Sequence, residues 1–87
     1  MLDEGLEVSR QALRLNPNCA ETHNTLGSAL WERGKLNEAL ASYRQALRLN
    51  PNFAEAHNNL GITLITQGQL EEGMASSREA VRLEPDE

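Results

Sequence analysis

Two histidines stand nearest to chemistry in this chain. His23 follows Glu21 by two positions and His57 follows Glu55 by two, so one His/Glu pair occurs twice. Such a pair could hold a metal ion or relay a proton if both side chains reached the same point. Residues two apart on a helix point to different faces, so neither pair converges, and partly buried packing histidines are the reading that remains. Cys19 is the single cysteine and can form neither an internal disulfide nor a cysteine-only metal cluster. It occupies the turn position that Phe53 fills later in the chain, and reads as a small packing residue. No glycine-rich phosphate loop is present, and no Ser, Cys or Lys carries a catalytic motif around it. The residues point to a non-enzyme that needs no cofactor and no metal.

The elements that carry these residues recur with a fixed period. Leu-Arg-Leu-Asn-Pro occupies residues 13–17 and again 47–51, and Pro17, Pro51 and Pro85 are 34 residues apart. Aligned without gaps, residues 20–53 and 54–87 agree at about half their positions, and 2–19 match the second half of the same unit. A period of this length is the mark of stacked helical hairpins. Leu26 and Leu30 form an apolar stripe with His23; Leu36, Ala39, Leu40, Tyr43, Ala46 and Leu47 form another. Asn18 and Asn52, each three residues before a glutamate, read as helix starts. Gly34 and Gly68 read as helix ends, and Asn50-Pro51 as a stop. The pattern predicts an all-α chain of five helices, over about 2–15, 20–33, 37–49, 54–67 and 71–83. It divides into the second helix of a truncated repeat (1–19) and two full repeats (20–53 and 54–87), as a single array spanning 1–87.

The net charge of −5 over 87 residues argues against nucleic acid as a partner. No apolar run approaches the roughly 18 residues that cross a bilayer, so no membrane role is expected. The lone cysteine and the lack of a signal peptide at the start fit a cytoplasmic setting.

On these residues the chain resembles the tetratricopeptide repeat family. One copy of the motif reads His23-x-x-Leu26-Gly27-x-x-Leu30 followed by Ala39, Tyr43, Ala46 and Pro51; the next reads His57-x-x-Leu60-Gly61-x-x-Leu64 followed by Gly73, Ser77, Ala80 and Pro85. The resemblance covers essentially the whole chain and implies a right-handed α-α superhelix, a solenoid of antiparallel helix hairpins. Gly27 and Gly61 mark places where helices approach closely. Gly5 and Gly73 replace alanine, and Ser9 and Ser77 replace the aromatic, so helices 2–15 and 71–83 are expected to pack less well than the central 37–49. A start in mid-repeat suggests a piece of a longer array whose uncapped ends stack on other copies, giving a homo-oligomer.

The resemblance also implies how the surface is divided. Second helices form the convex side, where Arg10, Arg14, Arg44, Arg48, Arg78 and Arg82 make a ladder of i, i+4 pairs. The ladder is either a solvated face, with Arg14, Arg48 and Arg82 complementing helix dipoles, or a docking stripe for an acidic partner or a phosphate-rich surface. First helices line the concave groove, where Glu21, Asn24, Thr25, Ser28, Trp31, Glu32, Glu55, Asn58, Asn59, Ile62, Ile65 and Thr66 would face a bound segment. Arg33 is the only cation on those helices, which departs from the basic clamp of co-chaperone members and favours a neutral or basic peptide. A primary amide carries both donor and acceptor and can grip a peptide bond, so Asn24, Asn58 and Asn59 are the main candidates. Asn59 resembles the asparagine ladder in the repeat arm of O-linked N-acetylglucosamine transferase, with Thr25 in the matching place one repeat earlier. Trp31 and Ile65 coincide after alignment and either anchor a ligand side chain or cover a neighbouring turn. Three functions follow: a scaffold binding an extended protein segment, a substrate-recruitment arm of a larger enzyme such as a glycosyltransferase, or a self-assembly module.

Overall fold

The computed structural model describes residues 2–84, with side chains from Leu6 onward. Five helices account for nearly all of it: α1 (Leu2–Leu15), α2 (Ala20–Glu32), α3 (Leu36–Leu49), α4 (Ala54–Thr66) and α5 (Leu70–Leu83). Each packs on its neighbours in sequence, most extensively within the hairpins α2–α3 and α4–α5, and α2 also touches α4. The result is an all-α solenoid in which α2 and α4 are neighbouring first helices and α1, α3 and α5 are second helices. Among the described residues no helix is long and apolar enough to cross a membrane. Pro85, expected to close the last helix, lies outside the described residues.

The core follows the apolar stripes. Leu6, Leu30, Ala39, Leu40, Tyr43, Leu60 and Leu64 form one buried cluster, with Leu26, Ala29 and Leu47 packed against it. It draws on all of α1 to α4, so the first helices are held by second helices on both sides.

Gly34 and Gly68 have φ of +80° and +88°. At α2, the Gly34 N–H donates to Trp31 O and the Lys35 N–H to Leu30 O, each at 2.9 Å. Gly68 and Gln69 bond in the same way to Ile65 and Leu64. This is the Schellman arrangement, which satisfies the last carbonyls through a left-handed residue that glycine adopts without a Cβ penalty.

The helix starts differ from expectation. The N-cap residues of α2 and α4 are Cys19 and Phe53, one position after Asn18 and Asn52, and neither makes a side-chain cap bond. A different asparagine serves the turn: Asn50 Oδ1 accepts from the Asn52 N–H at 3.2 Å. The repeated histidines tie the same turns down. His23 Nε2 lies 2.9 Å from Pro17 O and His57 Nε2 lies 3.0 Å from Pro51 O. A carbonyl only accepts, so each Nε2 carries the proton and donates. The half-buried rings therefore pack and also bond.

α5 differs as well. It was expected to pack loosely, yet it meets α4 backbone to backbone. A Cβ on Gly61 would lie 2.7 Å from Gly73 O, and one on Gly73 would lie 2.8 Å from Gly61 O. In the preceding hairpin the equivalent glycine, Gly27, is covered by the Tyr43 ring, whose Cε1 would be 2.5 Å from an added Cβ. Glycine in place of alanine at 73 and serine in place of the aromatic at 77 thus let α5 approach α4 closely.

Candidate functional site

The inner surface of α2 and α4 holds a recess of about 190 Å³ lined by Ser28, Trp31, Glu32, Tyr43, Asn59 and Ile62. The helix period places Ser28, Trp31 and Glu32 along one side of α2, since residues three and four apart are neighbours. Asn59 and Ile62 face them from α4, and Tyr43 reaches up from α3 between the two. The Tyr43 hydroxyl donates to Ser28 Oγ at 3.3 Å. Burial pushes the Tyr43 phenol above its ordinary value; the Ser28 contact opposes this, and the negative charges of Glu32 and Glu55 add to it. Trp31 and Ile62 keep 38% and 43% of their surface exposed, which leaves apolar area for a guest to cover.

Of the twelve residues expected to face the groove, Ser28, Trp31, Glu32, Asn59 and Ile62 come together in this recess. Asn24 does not belong to it. It is 4% exposed, and its Oδ1 accepts a hydrogen bond from Asn59 Nδ2 at 3.1 Å. The expectation that Asn24 presents its amide to a ligand is therefore wrong: α4 covers it, and the amide serves as a brace between first helices. Asn58, its counterpart one repeat later, is exposed and lines a separate recess between α4 and α5 with Glu55, Val81 and Glu84. Thr25 lies in an earlier recess between α1 and α2 with Ser9 and Glu21, and its hydroxyl donates to Glu21 O at 3.0 Å. Ile65 leans on α5, where its Cγ1 would be 2.6 Å from a Cβ on Gly73. It covers the neighbouring helix and does not line the recess with Trp31. Thr66 turns back to its own helix, donating to Ile62 O at 2.8 Å.

Tyr43 is the recess residue that sequence reasoning missed. Its place in the packing stripe of α3 was evident, but one ring can pack on Gly27 and still present its hydroxyl end to the groove.

The arginine ladder is exposed along α1, α3 and α5. Arg44 reaches the next second helix and donates to Glu72 Oε2 at 3.3 Å. Arg48 bonds Gln45, and Arg82 bonds Glu79. The Arg82 hydrogen bond holds the Glu79 carboxyl below its usual range. Cys19, half-buried at the start of α2, has its thiol drawn below the ordinary value, chiefly by the neighbouring Thr22 side chain and then by its backbone. Among the described residues no three His, Cys, Asp or Glu side chains gather in a way that could hold a metal ion.

Three family models cover the chain between them. A TPR repeat model matches residues 27–68, and tetratricopeptide repeat models match 54–87 and 2–43. The chain belongs to the tetratricopeptide repeat family. Solved tetratricopeptide-like structures agree with it in fold. The crystal structure of MamA superposes with a TM-score of 0.90 at 21% identity, covering 97% of this chain and 49% of that one. YrrB, described as a TPR protein with an unusual peptide-binding site, gives 0.90 at 27% identity, covering 98% of this chain and 44% of that one. A second MamA structure, MamA MSR-1 C2, gives 0.85 at 27% identity, over 94% and 47%. The chain therefore spans less than half the length of each. No curated protein matches it by sequence.

Proposed function

We propose that this tetratricopeptide repeat chain is a protein-interaction scaffold that binds an extended, neutral or basic peptide segment along the inner surface of α2 and α4. The observation that carries this reading is the recess between those helices, where the apolar faces of Trp31, Tyr43 and Ile62 meet the polar groups of Ser28, Glu32 and Asn59. Exposed aromatic area beside a few convergent polar groups is the usual make-up of a binding site. The peptide-binding description of YrrB, at 27% identity, supports the same class of ligand. Asn59 donates one amide hydrogen to Asn24 and keeps its second hydrogen and its oxygen lone pairs for a peptide bond. A positional peptide library read by backbone amide shifts tests this. Shifts gathered at Ser28, Trp31, Asn59 and Ile62, weakened by Asn59→Ala, are expected. Shifts confined to the arginines of α1, α3 and α5 would overturn it.

One observation favours self-association as a second role. Leu70, Met74 and Val81 are exposed on one side of α5. One repeat earlier, the counterparts of Met74 and Val81 are Leu40, buried in the core, and Leu47, packed against it. The α5 face is suited to a second copy laid antiparallel, which would set Glu71, beside the stripe, against Arg78 of the other chain. Sedimentation at rising concentration should show a dimer that Met74→Glu abolishes; a constant monomer mass removes this role.

A further inference from the structure

We propose that the recess between α2 and α4 selects a single lysine or arginine side chain of the bound segment, its aliphatic stem lying against Trp31 and Ile62 and its cation meeting Glu32. The inference rests on the peptide-groove reading and names what that groove discriminates.

Size sets the first limit. About 190 Å³ is below the roughly 300–1,000 Å³ of small-molecule sites, so the recess suits one side chain and not a whole cofactor. The hydrogen-bonding groups set the second. Ser28 Oγ receives the Tyr43 hydroxyl hydrogen, and Asn59 has one hydrogen committed to Asn24. What remains holds more acceptors than donors: the Glu32 carboxylate, the Asn59 oxygen and the second lone pair of Ser28, against one Asn59 amide hydrogen and the Ser28 hydroxyl hydrogen. An ammonium or guanidinium carries donors only, three or five of them, and so complements that set. A carboxylate guest would meet Glu32 with like charge, and a purely aliphatic guest would gain nothing from these acceptors.

The helix ends point the same way. α1, α3 and α5 each carry an arginine in the last turn, Arg14, Arg48 and Arg82, while the last turn of α2 has no basic residue. Trp31 and Glu32 occupy that turn, which carries the negative end of the α2 dipole and no cation of its own. Arg33 and Lys35 follow the helix but do not line the recess. The fields of Glu32 and Glu55 reach Tyr43 at its wall, which agrees with a negative interior. Trp31 adds an aromatic face, the preferred surface for a cation whose stem is apolar.

The test uses blocked heptapeptides, alanine and glycine throughout except for a central lysine, arginine, norleucine or glutamate. Trp31 is the only tryptophan, so its emission reports the recess directly. Lysine and arginine peptides should bind about three- to thirty-fold tighter than norleucine, the range expected from an exposed cation–π contact with one surface ion pair. Glu32→Gln should remove the advantage of lysine and arginine over norleucine when all the peptides are compared on that same variant. Equal binding of lysine and norleucine, or a preference that survives Glu32→Gln, would overturn the selectivity while leaving the groove intact. If none of the peptides, nor any member of the positional library, shifts the amides of α2 and α4, the groove reading falls together with it.

Discussion

Asn59 Nδ2 donates a 3.1 Å hydrogen bond to Asn24 Oδ1, joining two first helices across 35 residues of sequence. α2 and α4 otherwise touch little, so this amide pair is a main direct link between the inner surfaces of consecutive hairpins. Thr63 stiffens the α4 side, donating to Asn59 O at 2.8 Å from a fully buried position. A double-mutant cycle of Asn24→Ala and Asn59→Ala should return a coupling of about 1 kcal/mol in urea unfolding, the usual net value of such a bond. Additive losses would show that the two amides do not act together.

The three kinds of glycine should respond differently to alanine. At Gly61 the added Cβ meets Gly73 backbone oxygen, which can move only if α4 and α5 separate, and a loss of about 2–3 kcal/mol is expected. At Gly27 it meets the Tyr43 ring, which can tilt slightly, and helix propensity returns up to about 1 kcal/mol, so a smaller loss is expected. At Gly34 nothing lies within 4 Å, and only the left-handed backbone is penalised, by about 1–2 kcal/mol. Thermal melts of the three variants check the order; Gly27→Ala costing more than Gly61→Ala would contradict the backbone contact.

Alkaline pH should weaken the fold through Tyr43. Its folded-state pKa is raised, by burial first, so the unfolded chain loses the phenolic proton at lower pH than the folded one. The stabilisation is complete below the unfolded value near 10 and is lost as pH rises through the higher folded value. Tyr43 is the only tyrosine, so phenolate absorbance follows it alone. Tyr43→Phe should flatten this part of the pH profile, and an unchanged profile would assign the loss to other groups.

The Arg44–Glu72 pair should contribute little. Both side chains are about half exposed, at 45% and 59%, so solvent screens them. Arg44→Ala is expected to cost less than about 0.5 kcal/mol at low salt and nothing measurable at 1 M salt. A larger, salt-insensitive loss would mean that the Arg44 stem packs between α3 and α5.

Much of the fold was legible because periodic features dictate it locally. The helix ends at Gly34 and Gly68, the stripes of α2 and α3 and the close approach at Gly27 and Gly61 each depend on a few nearby residues. What was not legible depended on neighbours distant in sequence. Asn24 and Asn58 are the same residue at the same repeat position, yet one is buried and the other exposed, because α4 covers the first. Nothing around Asn24 encodes that difference. Gly73 read as a weakness in α5 because its propensity was judged alone; its partner is Gly61, twelve positions earlier on another helix. The cap error is of another kind. Asn18 and Asn52 have the right side chain for a cap, but the helices begin one residue later, and Asn50 organises the turn instead.

The histidine bonds carry a mechanical consequence. His23 to Pro17 and His57 to Pro51 each span six residues, and each fastens the start of a first helix to the turn that precedes it. The joint between one hairpin and the next is thus clasped within a single short segment, the same way both times. Bend in such a chain accumulates joint by joint, as in any quasi-one-dimensional stack. Adding or deleting a whole unit would change the length of the arc and leave its radius as it was.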